Sequence, residues 1–203
     1  MTQRRLLIAL AWVVVFLIAL PLDRPISTWT HQSGFWEIVK HSPVSWCIKA
    51  PGTFYFTIAL AVLVLIQKPW HWRGAAELWI SNLLAGLCYS IGKWAVGRTR
   101  PFKEVDPFFL SPFKNGLKGL FWGEKNQAFP SGHTSLAFAT ALTMTFLFPK
   151  YWWIFFSIAV LVGLERIAEN AHYPSDVIAG AAFGVLSAMV ARVLVDRTSA
   201  QKM

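Results

Sequence analysis

Three short stretches carry residue types that could do chemistry together. KWAVGRTRP (93 to 101) supplies Lys93 and Arg100, PSGH (130 to 133) supplies Ser131 and His133, and ERIAENAHYPSD (165 to 176) supplies Arg166, His172 and Asp176. Three cations can hold an anion that has several oxygens. Imidazoles exchange protons near neutral pH, and a carboxylate beside one fixes its tautomer. The set describes an anion site with acid–base equipment.

Local sequence suggests how each residue is held. Lys93 and Arg100 are seven apart, two turns of a helix, so both can point to one side before Pro101 stops the helix. Ser131 is a good N-cap for the apolar run that follows it. The free N–H groups of that helix start, Gly132 among them, then form an anion cradle. Pro174 suits a first helical turn, which puts His172 just before the helix and Asp176 inside it, within reach of the imidazole.

These residues need elements to carry them, and the composition says which. Hydrophobic residues make up 55% of the 203 and charged residues 14%. Soluble domains carry about 25% charged residues, so this is not an ordinary soluble protein. Apolar runs predict an all-α bundle of six transmembrane helices in one domain, near 5–22, 52–67, 75–96, 132–149, 151–168 and 175–195. The third contains Glu77, Ser81 and Asn82, which must face other helices. Trp29, Trp46, Trp70, Trp72, Trp152 and Trp153 flank the runs as an interfacial belt does. No small-x-small cleavage site follows the first run, so it is expected to stay as a helix. Cys47 and Cys88 imply neither a disulfide nor a metal framework.

Six crossings place all three motifs on one membrane face, with the loops 23–51, 97–131 and 169–175. Arg4 and Arg5 argue for a cytoplasmic N-terminus, hence an extracytoplasmic site, in a bacterial inner membrane; the total Lys and Arg count favours the reverse. The net charge of +9 lies between spans, which points to anionic lipid or an anionic substrate rather than nucleic acid. Arg98, Lys103, Lys114, Lys118 and Lys125 read as solvated or headgroup-facing, and residues 106 to 127 as a segment lying on the membrane. His31, His41 and His71 have no partner motif.

The order K-x6-RP, PSGH and R-x5-H-x3-D resembles the type 2 phosphatidic acid phosphatase family, and the soluble vanadium haloperoxidases are similar at the same motifs. The resemblance implies a cofactor-free, metal-independent phosphatase of lipid phosphates or diphosphates, with the bilayer as partner. It makes His172 the nucleophile of a phosphohistidine, Asp176 its orienting carboxylate and His133 the acid for the leaving oxygen. Lys93, Arg100, Arg166, Ser131 and the Gly132 amide would hold the phosphoryl oxygens. The family usually has Ser where this chain has Glu165; a carboxylate there is expected to pair with Lys93 or Arg100 and orient it from behind. Two other readings stay open. One is a lipid-to-lipid phosphotransferase with the same site; the other is a membrane transporter or lipid-binding protein without catalysis.

Overall fold

A computed structural model describes residues 3–67, 72–103, 106–113 and 126–200. Trp70, His71, Lys114, Lys118, Lys125 and most of the expected surface segment lie outside the described residues. Among the described residues the regular structure is helical, with two isolated β-bridges, Arg98 with Leu110 and Thr99 with Gln127.

Helix α1 (Gln3–Gln32) runs ten residues beyond the expected end of the first span at Leu22. Pro21 and Pro25 lie inside it, and the Ser27 and Thr30 hydroxyls bond back to the Asp23 and Ile26 carbonyls at 2.7 Å. Asp23 does not end the helix because its charge is matched from another part of the chain. The expected loop 23–51 is thus largely helix. Gly34, at φ 68°, turns the chain into α2 (Phe35–His41), and Ser42 caps α3 (Pro43–Lys49) by accepting the Val44 N–H at 3.2 Å. A 65° bend separates Pro43–Gly52 from Phe54–Ile66 in α4 (Phe54–Gln67).

Four helices complete the bundle: α5 (Trp72–Val96), α6 (Gly132–Leu147), α7 (Trp152–Ala168) and α8 (Pro174–Ala200). Among the described residues, three helices are long and apolar enough to cross a membrane, Leu6–Gln32, Pro149–Ala168 and Pro174–Arg197, or four with the bent pair, against the six crossings expected. Helix α6, at 16 residues, is short for a crossing, and α5 has one apolar face exposed through Leu83 and Leu87 and one buried face that carries polar residues. Asn82 donates to Thr140 at 3.1 Å, Thr143 donates to Ser81 at 3.1 Å, and Glu77 pairs with Arg192 at 3.0 Å. The lipid-facing surfaces are apolar, and Trp29, Trp46, Trp152 and Trp153 are exposed at helix ends.

Helix α6 is the hub, packed by α5, α7 and α8. Its first two turns sit so close to α8 that side chains have no room. A Cβ on Gly180 would lie 2.5 Å from the Ser131 carbonyl oxygen, and one on Gly184 would lie 2.3 Å from that of Ser135. Small residues at i and i+4 let backbones approach this way in membranes, where packing rather than the hydrophobic effect drives association. Gly184→Ala should push α8 off α6 and cost about 1–3 kcal/mol, the usual range for overpacking. A lower melting temperature in detergent would register it; an unchanged one would show that the helices part freely.

Candidate active site

The three motif loops meet at one end of this bundle, and backbone bonds stitch them pairwise. Ala128 N–H donates to the Arg98 carbonyl at 2.6 Å, Phe102 N–H to Asn170 at 3.1 Å, and Ser131 N–H to Asp176 at 3.0 Å. Each bond joins the loops of two different motifs. The starts of α6 and α8 therefore lie side by side, with the end of α7 next to them.

The first motif departs from its expected form. Helix α5 ends at Val96, because Gly97 adopts φ 62° and its N–H bonds back to the Lys93 carbonyl at 2.8 Å. A left-handed residue after the last turn is a common helix stop. Here only glycine fits, since a Cβ would sit 1.9 Å from the Ser111 carbonyl oxygen. Lys93 is thus helical but Arg100 is not; it reaches the site from an extended segment, four residues past the helix end. Its Nε donates to the Gln127 carbonyl at 3.3 Å.

The second motif starts α6 as expected, with Ser131 at the N-cap position. Its side chain makes no cap bond, though; the hydroxyl instead lies 2.9 Å from the Thr134 hydroxyl, fully buried. The N–H groups of the first turn, beginning at Gly132, have no intrahelical partner, as at any helix start. His133 lies within electrostatic range of Arg166, His172, Lys93 and Arg100.

In the third motif, Asn170 at φ 53° ends α7, and the N–H groups of Ala171 and His172 return to the Arg166 carbonyl. His172 is 2% exposed. Asp176 is near it but not bonded: His172 Nδ1 is 3.8 Å from Oδ2 and has no hydrogen-bond partner among the described residues. Both oxygens of Asp176 are engaged elsewhere, Oδ2 by the Tyr173 N–H at 2.9 Å and Oδ1 by Arg98 at 2.6 Å. Catalytic hydrogen bonds are often this loose without substrate.

Two expectations fail here. Glu165 pairs with neither Lys93 nor Arg100. It holds its own neighbour, accepting from Arg166 Nε at 2.6 Å and Nη2 at 2.7 Å, and it accepts from the Ser45 hydroxyl of α3. Arg166 can curl back because its side chain is long enough to offset the turn between adjacent helix positions. Glu169 binds the same guanidinium and is itself 3.5 Å from Lys49. The second failure is Arg98, which is neither solvated nor at the headgroups. It is 4% exposed and ion-paired with Asp23 and Asp176, both at 2.6 Å. Lys103 is exposed as expected. A charged Asp23 within an apolar helix was a signal that some cation must come to it.

A model of the PAP2 superfamily matches residues 74–199. Among curated proteins, a lipid A 1-phosphatase of Rhizobium johnstonii is 35% identical over 128 residues, 62% of this chain and 49% of the relative. An undecaprenyl-diphosphatase of Sulfolobus acidocaldarius is 33% identical over 130 residues, 64% of this chain and 58% of the relative. The chain thus spans about half the length of the curated relatives it matches. Two crystal structures share the fold. Aquifex aeolicus LpxE has a TM-score of 0.59 at 20% identity, covering 86% of this chain and 94% of that one. The first transmembrane PAP2-type phosphatidylglycerolphosphate phosphatase from Bacillus subtilis has a TM-score of 0.60 at 21% identity, covering 93% and 94%.

Burial, followed by the charges of Arg100, Lys93 and Arg166, holds the His172 proton affinity well below its ordinary value. Such a histidine is neutral when folded, so its contribution to stability is present above the unfolded pKa of about 6.5 and is lost as pH falls below it. Histidine chemical shifts of the detergent-solubilised protein should show His172 still neutral at pH 6. A midpoint at or above 6.5 would mean that the cations do not bear on the ring.

Proposed function

Because the chain belongs to the PAP2 superfamily, we propose that it hydrolyses a lipid phosphate or diphosphate through a phosphohistidine. The observation that carries this is the convergence of Lys93, Arg100 and Arg166 on two neighbouring imidazoles. Phosphoryl transfer asks mainly for positioning and for charge neutralisation on the equatorial oxygens. Preorganised cations at a partly dehydrated site do this well.

The roles divide by position. His172, neutral and buried at the mouth of α8, attacks phosphorus with its free electron pair, and the bond to the leaving oxygen breaks. Asp176 stabilises the imidazole charge that develops. His133, at the start of α6, takes up a proton once the bound phosphate offsets the neighbouring cations, gives it to the leaving oxygen, and then takes a proton from the water that releases phosphate. The Gly132 amide and the three cations hold the phosphoryl oxygens; the Ser131 hydroxyl is engaged with that of Thr134, so Ser131 contributes by its position at the helix start. Glu165 and Glu169 take Nε and Nη2 of Arg166 and so fix the direction of its remaining arm.

A lipid substrate fits the surroundings. A largely apolar groove between α2, α3 and α7 is lined by Val39, Ile48, Leu161, Leu164 and Glu165, the carboxylate that holds Arg166. A chain lying there would bring its phosphate to Arg166. The site faces the extracytoplasmic side if the N-terminus is cytoplasmic. Cysteines placed at Lys103 and Lys150, both exposed and at opposite ends of the bundle, test this in a background with Cys47 and Cys88 replaced. An impermeant reagent on intact cells should label position 103; labelling only at position 150 inverts the orientation.

Phosphate release from a panel of lipid phosphates by purified protein tests the activity. His172→Ala should abolish it. His133→Ala should cost about 10²–10⁴-fold with a lipid phosphate, the range of general acid catalysis, and much less with an activated aryl phosphate. Activity should persist in excess chelator and fall with vanadate, and loss in chelator restored by magnesium would contradict the mechanism. Transfer of phosphate to a second lipid in place of water would make it a phosphotransferase.

A further inference from the structure

The family match begins at residue 74 and leaves α1 outside it, yet α1 delivers a buried carboxylate to the nucleophile turn. Asp23 is 0% exposed. Its Oδ1 accepts the Ser175 N–H at 2.9 Å, and its Oδ2 accepts from Arg98 Nη2 at 2.6 Å and from the Ser175 hydroxyl. Ser175 lies in the first turn of α8, where N–H groups have no partner within the helix. Asp23 is therefore an N-cap supplied by a different helix.

Arg98 carries the contact onward. Its Nη1 donates to Asp176 Oδ1 at 2.6 Å and to the Ser175 hydroxyl at 2.8 Å, and its Nε donates to the Pro107 carbonyl at 2.7 Å. Its guanidinium stacks on the Tyr173 ring, 4.1 Å from the centroid. Every member of the turn from Tyr173 to Asp176 except the proline is thus touched by Asp23, by Arg98 or by both. Asp176 is the residue next to the His172 imidazole.

Removing one member would leave a buried charge uncompensated. Without Asp23, Arg98 keeps a single carboxylate and the Ser175 N–H loses its acceptor. Arg98 would then move toward Asp176 or toward solvent, and the carboxylate that faces His172 would move with it. We propose that Asp23 is a positioning residue for the nucleophile turn, acting through Arg98 and Ser175 to hold Asp176 against His172. The inference rests on the reading that His172 is the nucleophile.

The test uses full-length protein in detergent with dioctanoyl phosphatidic acid as substrate. Asp23→Asn keeps the size of the side chain and an acceptor for the Ser175 N–H but removes the charge. It should lower kcat about 10- to 100-fold, the weight of one charged hydrogen bond, with KM changed by no more than about twofold. In an Asp176→Asn background the same change should cost no more than about twofold further, because both act along one path. An unchanged kcat, an effect confined to KM, or a full additive loss would overturn the proposal. A purely structural tie between α1 and α8 predicts that additive loss. Should Asp23→Asn give no folded protein, Ser175→Ala removes the hydroxyl shared by Asp23 and Arg98, and the same kcat and KM criteria apply to it. His172→Ala separates the two readings. Retained activity there sinks the nucleophile and this proposal together; a dead His172→Ala with an unaffected Asp23→Asn sinks only the positioning role.

Discussion

Lys93, Arg100 and Arg166 bring like charges to bear on the same two imidazoles, in a place where little water screens them. Burial and the neighbouring Arg166 already weigh against the proton of Arg100. Repulsion of this kind is tolerated only if carboxylates or a bound anion offset it. The protein grades the offset. Arg166 has two carboxylates, Glu165 and Glu169. Lys93 has the ring of Tyr89, 5.5 Å away. Arg100 has the Gln127 carbonyl and the ring of Phe102. The least compensated charges face the histidines, and a phosphate dianion would complete the balance. The same field disfavours a proton on His172, the state that the proposed attack requires.

That arrangement would relax if its three loops could drift apart, and the fold prevents this at two levels. Backbone bonds join each motif loop to the others. Beneath them, α6 and α8 touch through Gly180 and Gly184, so the helix starts that bear His133 and follow His172 stay in fixed relation. Polar contacts between α5 and α6 serve the same end within the bundle. Helix α5 carries serine and asparagine on the face it turns to α6, and α6 is only 16 residues long, so neither reads as a simple apolar span. The features that make the interior specific also hide it from a hydropathy count.

A second balance lies just outside the first. Arg98 sits between Asp23 and Asp176, stacked on Tyr173. It is close in sequence to Arg100 yet differs from it in use: in the proposed reaction Arg100 holds the phosphate, whereas Arg98 is paired with two carboxylates. An extended segment from Gly97 onward lets two arginines so near in sequence reach different partners. Had α5 continued to Pro101 as a helix, Lys93 and Arg100 would share a face but Arg98 would not meet α1.

The candidate site residues and the turns and helix starts that carry them were legible in the sequence, because turn chemistry and helix starts are local. Pro174 before Asp176, Ser131 before an apolar run, and the spacing from Arg166 to His172 each express a preference acting over a few residues. The all-α membrane architecture was legible for a similar reason, since apolar runs report burial directly. The end of α5 at Gly97 was also written locally, in a glycine ahead of two arginines, but it competed with a helical spacing that looked equally good. Pairings were not legible. Asp23 meets Arg98 75 positions away and Ser175 152 positions away, and Ser45 meets Glu165 across 120. No local preference selects among the carboxylates and cations that could neutralise one another over such distances. Only packing of α1, α3 and α7 against the motif end brings particular ones within 3 Å, and in a buried setting that proximity decides which charges are satisfied and which remain free for substrate.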